Sequence, residues 1–132
     1  KIVSFEQSPD YFERLNKSFP KDLLEFIELK LCPVQLKWWK DERGIFYKTP
    51  VPNKADLIYI DGPTRPRGSD EINFYFSRFN ADIVHWYEKG CQTKYAFTDH
   101  RWSNYLSYVR HLESDFDISC SRWWKSILIS AK

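Results

Sequence analysis

The sequence predicts an α/β fold with a mostly parallel sheet and an antiparallel strand pair at the end of the chain. Three observations predict it. Strand-like and helix-like segments alternate, and the central strand candidates are apolar throughout, as in the middle of a parallel sheet. The last two strand candidates are joined by a connection too short for a parallel crossover. At 132 residues the chain fits one domain, residues 1–132.

Lys1 to Glu6 (KIVSFE) reads as a short strand ending in an acid. It opens with no cap or turn, as a strand does when the chain has been cut in front of it, so the domain is expected to be incomplete at its N-terminus. Ser8-Pro9-Asp10 then supplies an N-cap, a proline at the first helical position and an acid in the first turn. Tyr11, Phe12, Leu15 and Phe19 follow at helical spacing up to Pro20. Leu23 to Leu31 predicts a helical turn and then a strand over Phe26 to Cys32, ended by Pro33.

Asp41-Glu42-Arg43-Gly44 lies between two aromatic arms and predicts either a hairpin turn or a helix end. Ala55 to Ile60 (ADLIYI) is a continuous apolar run closed by Asp61-Gly62-Pro63, the pattern of a strand buried on both faces. Pro63 to Asp70 reads as an exposed loop. A helix is expected from Asn80 to Lys89, stopped by Gly90. Lys94 to Thr98 reads as another buried strand followed by an acid, Asp99. Tyr105, Leu106, Val109 and Leu112 place a helix over Arg101 to Glu113. Phe116 to Cys120 and Lys125 to Ser130 close the chain as two strands joined by Ser121 to Trp124.

Charge narrows the function. Twenty Lys+Arg against 18 Asp+Glu leave +2, so there is no basic field for nucleic acid or an anionic membrane. No apolar stretch is long enough to span a bilayer, and no signal-peptide pattern opens the chain. Cys32, Cys91 and Cys120 are too few and too scattered for a disulfide framework or a zinc knuckle, and read as buried thiols of a cytoplasmic protein. The Trp38-Trp39 and Trp123-Trp124 pairs offer flat rings. Neighbours on a strand point to opposite faces, however, which favours packing over a shared stacking platform.

In parallel sheets, ligands sit outside the carboxyl ends of the strands. Three of the four clearest strands carry an acid there: Glu6, Asp61 and Asp99. That coincidence is the main functional signal.

At these residues the chain resembles a class I S-adenosylmethionine-dependent methyltransferase. KIVSFE looks like the family's second strand and SPDYFERLNKSF like the helix after it. ADLIYIDGP looks like the fourth strand, YAFTD the fifth, and the closing pair strands six and seven. The resemblance implies a Rossmann-like three-layer sandwich, whose first strand and glycine-rich turn would lie before Lys1. It implies S-adenosylmethionine as cofactor, with Glu6 taking the ribose hydroxyls, Gln7 beside it, and Leu31 and Cys32 lining the adenine pocket. Asp61 would face both cofactor and substrate.

Asp61 and His100 are the candidate catalytic residues, as general base or substrate-binding groups. Asp61 and Asp99 on neighbouring parallel strands would lie close together, and like charges there repel unless a proton or cation is shared. Asp61, Asp99 and His100 therefore form a candidate metal set, with Mg²⁺ the ion that would orient a substrate hydroxyl. Against that stand the bland readings, Glu6 as a solvated acid beside a helix start and Asp61 as a turn acid. Arg65 and Arg67 could hold an anionic substrate group, with solvated loop arginines as the alternative. His85 and His111, on helices, read as structural.

The sequence thus points to O-methylation of a small molecule or sugar. The competing reading is a non-catalytic module that binds a protein or glycan partner. Neither reading calls for nucleic acid or membrane, and both leave room for a homo-oligomer.

Overall fold

The computed structural model describes residues 1–62, 79–99, 101–121, 123 and 125–132. The chain opens with β1 (Ile2–Glu6) and β2 (Ile27–Leu31), paired in parallel from Ile2 opposite Ile27 to Glu6 opposite Leu31. Between them run helix α1 (Pro9–Ser18) and a single 3₁₀ turn (Leu23–Glu25). The start of α1 is fixed locally: the Ser8 side chain accepts from the Tyr11 N–H at 3.4 Å, and Pro9 holds the first helical φ. One apolar stripe of α1, Phe12 and Leu15, is half buried, while Tyr11 on its flank stays exposed.

A tight hairpin follows. Strand β3 (Val34–Trp39) pairs antiparallel with β4 (Glu42–Tyr47), and Trp39 opposite Glu42 leaves a two-residue turn, Lys40–Asp41. Lys40 takes the positive φ, 55°, that such a turn requires. Of the two readings of Asp41 to Gly44, a hairpin turn or a helix end, the hairpin is observed, with its turn shifted toward the N-terminus and only Asp41 in common. Gly44 lies inside β4 and serves a different purpose. A Cβ there would fall 2.5 Å from the Cβ of Ala81 and 2.9 Å from the Trp39 ring. The missing side chain lets β4 approach the short strand β6 (Phe79–Asn80), with Gly44 opposite Phe79 and Ile45 opposite Asn80 in parallel.

The third sheet has the order β5-β7-β9-β8, built from β5 (Lys54–Ile60), β7 (Gln92–Asp99), β8 (Phe116–Ser121) and β9 (Ser126–Ala131). β5 and β7 are parallel, and β9 runs antiparallel to both β7 and β8. Helix α2 (Asp82–Glu88) ends at Gly90, which takes φ +84°, and α3 (Trp102–Leu112) follows β7. Ile58, Ile60, Ala96, Ile127 and Ile129 from the sheet form one core with Ile83 and Val84 of α2 and Tyr108 and Leu112 of α3. Trp39, Phe46 and Phe79 extend that core into the hairpin sheet. The Tyr108 hydroxyl donates to the Asn80 carbonyl at 2.8 Å, and the Asn80 N–H donates to the Asn104 side chain at 3.0 Å.

This architecture corrects the expected one. Among the described residues three pairings are parallel and three antiparallel, spread over three sheets, so the fold is not a mostly parallel, Rossmann-like three-layer sandwich. The physical reason lies in the apolar runs. In β5 and β7 only alternate residues are buried, while Leu57 (56% exposed), Tyr59 (71%), Tyr95 (51%) and Phe97 (36%) lie at the surface. A run of mostly apolar residues predicts a strand buried on both faces, and here one face is buried. The closing antiparallel pair and the helices on either side of β7 do stand where the sequence put them.

Candidate functional site

The carboxyl end of the β1–β2 pair brings three of the expected residues side by side. Glu6 lies opposite Leu31, and the Cys32 N–H donates to the Glu6 carbonyl at 2.8 Å. Leu31 is exposed and Cys32 buried. The Cys32 thiol donates to the Lys48 carbonyl at 3.2 Å, and burial, followed by the charge of Asp82, pushes its pKa up. The Glu6 carboxylate accepts from the Ser8 N–H at 2.7 Å, in keeping with the bland reading of an acid at a helix start. A carboxylate has about four acceptor positions, so this bond does not exhaust it. Gln7 is half buried directly behind it.

Two residues not singled out from the sequence complete the arrangement. Tyr47, the last residue of β4, donates its backbone N–H to Asp82 Oδ1 at 2.8 Å. Its phenol is held well above its usual pKa, first by burial and then by Glu6, Asp82, Cys32 and Asp61 in that order. Two of the parallel strand pairs, β1–β2 and β5–β7, therefore place an acidic end within electrostatic reach of this one ring. Asp82 itself is 6% exposed, and its Oδ2 is buried without a hydrogen-bond partner among the described residues. Burial pushes its carboxyl up to about 7 against the lowering effect of two backbone N–H bonds, from Tyr47 and from Asp82 itself. The ring of Phe5 lies 6.1 Å from Tyr47 and 6.3 Å edge-on to Trp86, which stands one turn beyond Asp82 on α2.

Asp61 is exposed, one residue past the last registered pair, Ile60 with Thr98. That position sets it beside Asp99 across the parallel pair. Asp99, however, is engaged: its Oδ2 bridges Arg101 at 2.7 Å, and its Oδ1 accepts from the Thr98 hydroxyl at 3.3 Å. His100 lies outside the described residues, as do Arg65, Arg67 and the expected loop from Pro63 to Asp70. Among the described residues no group of three or more His, Cys, Asp or Glu is placed to hold a metal.

The helical histidines pack as structural groups. His85 lies 4.2 Å from the Phe46 ring and His111 stacks on Phe79 at 5.6 Å. Burial is the leading cause that lowers both pKa values. Trp39 is buried and Trp38 exposed, on opposite faces as strand alternation requires, and Trp123 is 95% exposed. Among the described residues no helix is long and apolar enough to cross a membrane.

Tyr47 and Asp82 were missed for different reasons. Tyr47 ends a hairpin strand whose turn the sequence placed two residues late. Asp82 carries the ordinary signature of a first-turn helix acid, and nothing local marks it as buried. A comparison of the chain with protein-family models, curated proteins and solved structures returns no match. The chemistry of these residues is what a functional reading has to rest on.

Proposed function

We propose that this chain is an S-adenosylmethionine-dependent methyltransferase acting on a hydroxyl of a small molecule or sugar. The observation that carries the reading is the convergence on Tyr47 of Glu6 and Cys32, from the β1–β2 pair, and of Asp61, from the end of β5. A strand-end carboxylate is a two-oxygen acceptor suited to a ribose diol, and the exposed Leu31 beside it offers an apolar surface for a base. The cofactor would supply an activated methyl group on a sulfonium. Its transfer forms an O–C bond, breaks an S–C bond and releases one proton from the acceptor hydroxyl.

This chain's part is mainly to align the acceptor, because in-line approach matters more than a strong base. Asp61, exposed and not engaged as Asp99 is, is the acid assigned to orient the hydroxyl and take its proton. No step is assigned to a metal. Calorimetric titration with S-adenosylmethionine tests the reading. Binding that is lost in Glu6→Ala supports it, and absence of binding to wild type overturns it for this chain.

One observation favours a second reading, a non-catalytic binding module. The exposed Leu57, Tyr59, Tyr95 and Phe97 form an apolar sheet face of the kind that partners cover. A Tyr59→Ser, Tyr95→Ser variant that keeps cofactor binding but loses a captured glycan or protein ligand would support that reading.

A further inference from the structure

We propose that the junction of α2, β4 and β1 is a site for an organic onium cation, a sulfonium or a methylated ammonium, with Asp82 as counter-ion and Phe5, Tyr47 and Trp86 as walls.

The Asp82 Oδ1 takes the Tyr47 N–H at 2.8 Å, while Oδ2 is buried and, among the described residues, has no partner. Leaving a carboxylate oxygen dry and unpaired is costly, so the group needs either a proton or a cation. Among the groups acting on the adjacent Tyr47 phenol are the carboxyl groups of Glu6, Asp82 and Asp61. Lys30 acts on Cys32, but it is exposed on β2 and bridges Glu28 at 3.1 Å. The local field therefore favours a positive ligand.

The surroundings select the kind of cation. Phe5 stands 6.1 Å from Tyr47 and 6.3 Å from Trp86, so the three rings are contiguous, and Asp82 joins this group through the Tyr47 N–H. Asp82 and Trp86 are four residues apart and share one face of α2. Ring faces attract cations that shed water easily, which onium groups do and hydrated metal ions do not. Trp86 Nε1 is also buried without a partner, leaving a donor for an acceptor oxygen of the same ligand. An amino acid onium answers both orphaned atoms. In naming a sulfonium cofactor as the natural occupant the inference rests on the methyltransferase reading; as an onium site it does not.

S-methylmethionine, a sulfonium, and methionine, its neutral counterpart, are the probes. Titration into the intact chain is followed by calorimetry and tryptophan fluorescence, on wild type, Asp82→Asn and Phe5→Leu, with folding checked by circular dichroism. Wild type should bind S-methylmethionine at least tenfold more tightly than methionine. Asp82→Asn should remove that preference, and Phe5→Leu should weaken the sulfonium several-fold. If Asp82→Asn does not fold, the Phe5→Leu comparison decides alone.

Equal binding of the two probes, no binding of either, or unchanged affinity in the folded variants would overturn the site. S-adenosylmethionine separates this failure from that of the parent reading. If it binds wild type and Asp82→Asn equally but Glu6→Ala poorly, the cation site falls and the methyltransferase stands. An Asp82-dependent sulfonium preference with no cofactor binding gives the reverse.

Discussion

The backbone N–H of Tyr47 donates to the buried carboxylate of Asp82 at 2.8 Å and ties the end of the β3–β4 hairpin to the first turn of α2. Burial raises this carboxyl from its ordinary value of 3.8 to about 7. The folded state then holds a proton that the unfolded chain releases near pH 4. Stability is therefore greatest below pH 4 as far as this group is concerned, falls as pH rises through about 7, and is level above. The loss is on the order of 4 kcal/mol. Asp82→Asn keeps an acceptor for Tyr47 and carries no charge. Its urea midpoint should match wild type at pH 3 and exceed it progressively up to pH 8.5; equal midpoints at both pH values would contradict the burial argument.

The histidines titrate with the opposite sign. Burial leads the causes that hold His85 and His111 below the unfolded value of 6.5. Their contribution is complete above pH 6.5 and is lost as pH falls through the folded values, because unfolding then takes up protons. His111→Phe should keep the stacked contact with Phe79 and flatten the decline of thermal midpoint between pH 6.5 and 5. A steeper decline in the variant would show that His111 is protonated in the fold.

A second buried carboxylate is paired where Asp82 is not. Glu42, 4% exposed, accepts the Ser107 hydroxyl at 2.5 Å and forms an ion pair with Arg110, linking the hairpin to α3. Removing one member of a buried pair strands the other, at a cost of about 3 kcal/mol. Arg110 is half exposed, so solvent will reduce that figure. Arg110→Ala should lower stability by about 2 kcal/mol, and adding Glu42→Gln should recover part of the loss. Additive losses in the double-mutant cycle would mean that the pair is not coupled.

Much of the local structure was legible because its causes are local. Ser8-Pro9 starts α1 and Gly90 stops α2 by cap chemistry that spans a few residues. Strand pairing is not local. Nothing near Gly44 announces that β6 will lie beside it, and a glycine in a turn looks the same in sequence as one admitting a close neighbour. The site divides along the same line. Glu6, Leu31 and Cys32 were legible as a strand-end set, whereas the burial of Asp82 is created by a hairpin far away in sequence.

Gly44 gives the most direct test of that pairing. Its Cβ would meet Ala81 at 2.5 Å, Trp39 at 2.9 Å and Phe79 at 3.0 Å, with two of the three obstacles being rings fixed in the core. Gly44→Ala should cost about 2–3 kcal/mol by chemical denaturation, and Ala81→Gly in the same chain should restore part of it. A neutral Gly44→Ala would mean that β4 and β6 do not approach as described.

Glu6 serves structure and proposed function at once, and two substitutions separate the roles. Its carboxylate accepts the Ser8 N–H at 2.7 Å at the entrance to α1. Glu6→Gln keeps a side-chain oxygen for that bond but gives up the charge that a ribose diol would meet. Glu6→Ala gives up both. Glu6→Ala should therefore lower stability by about 1 kcal/mol, in line with loss of a helix-start bond, while Glu6→Gln stays near wild type. Cofactor affinity should fall in both variants, by tenfold or more, because hydrogen bonds to a charged acceptor are about twice as strong as those to a neutral one. Stability by urea titration and affinity by calorimetry, measured on the same preparations, resolve the two roles. If affinity follows stability, falling in Glu6→Ala and unchanged in Glu6→Gln, then Glu6 is a helix-start residue and the ribose role is withdrawn.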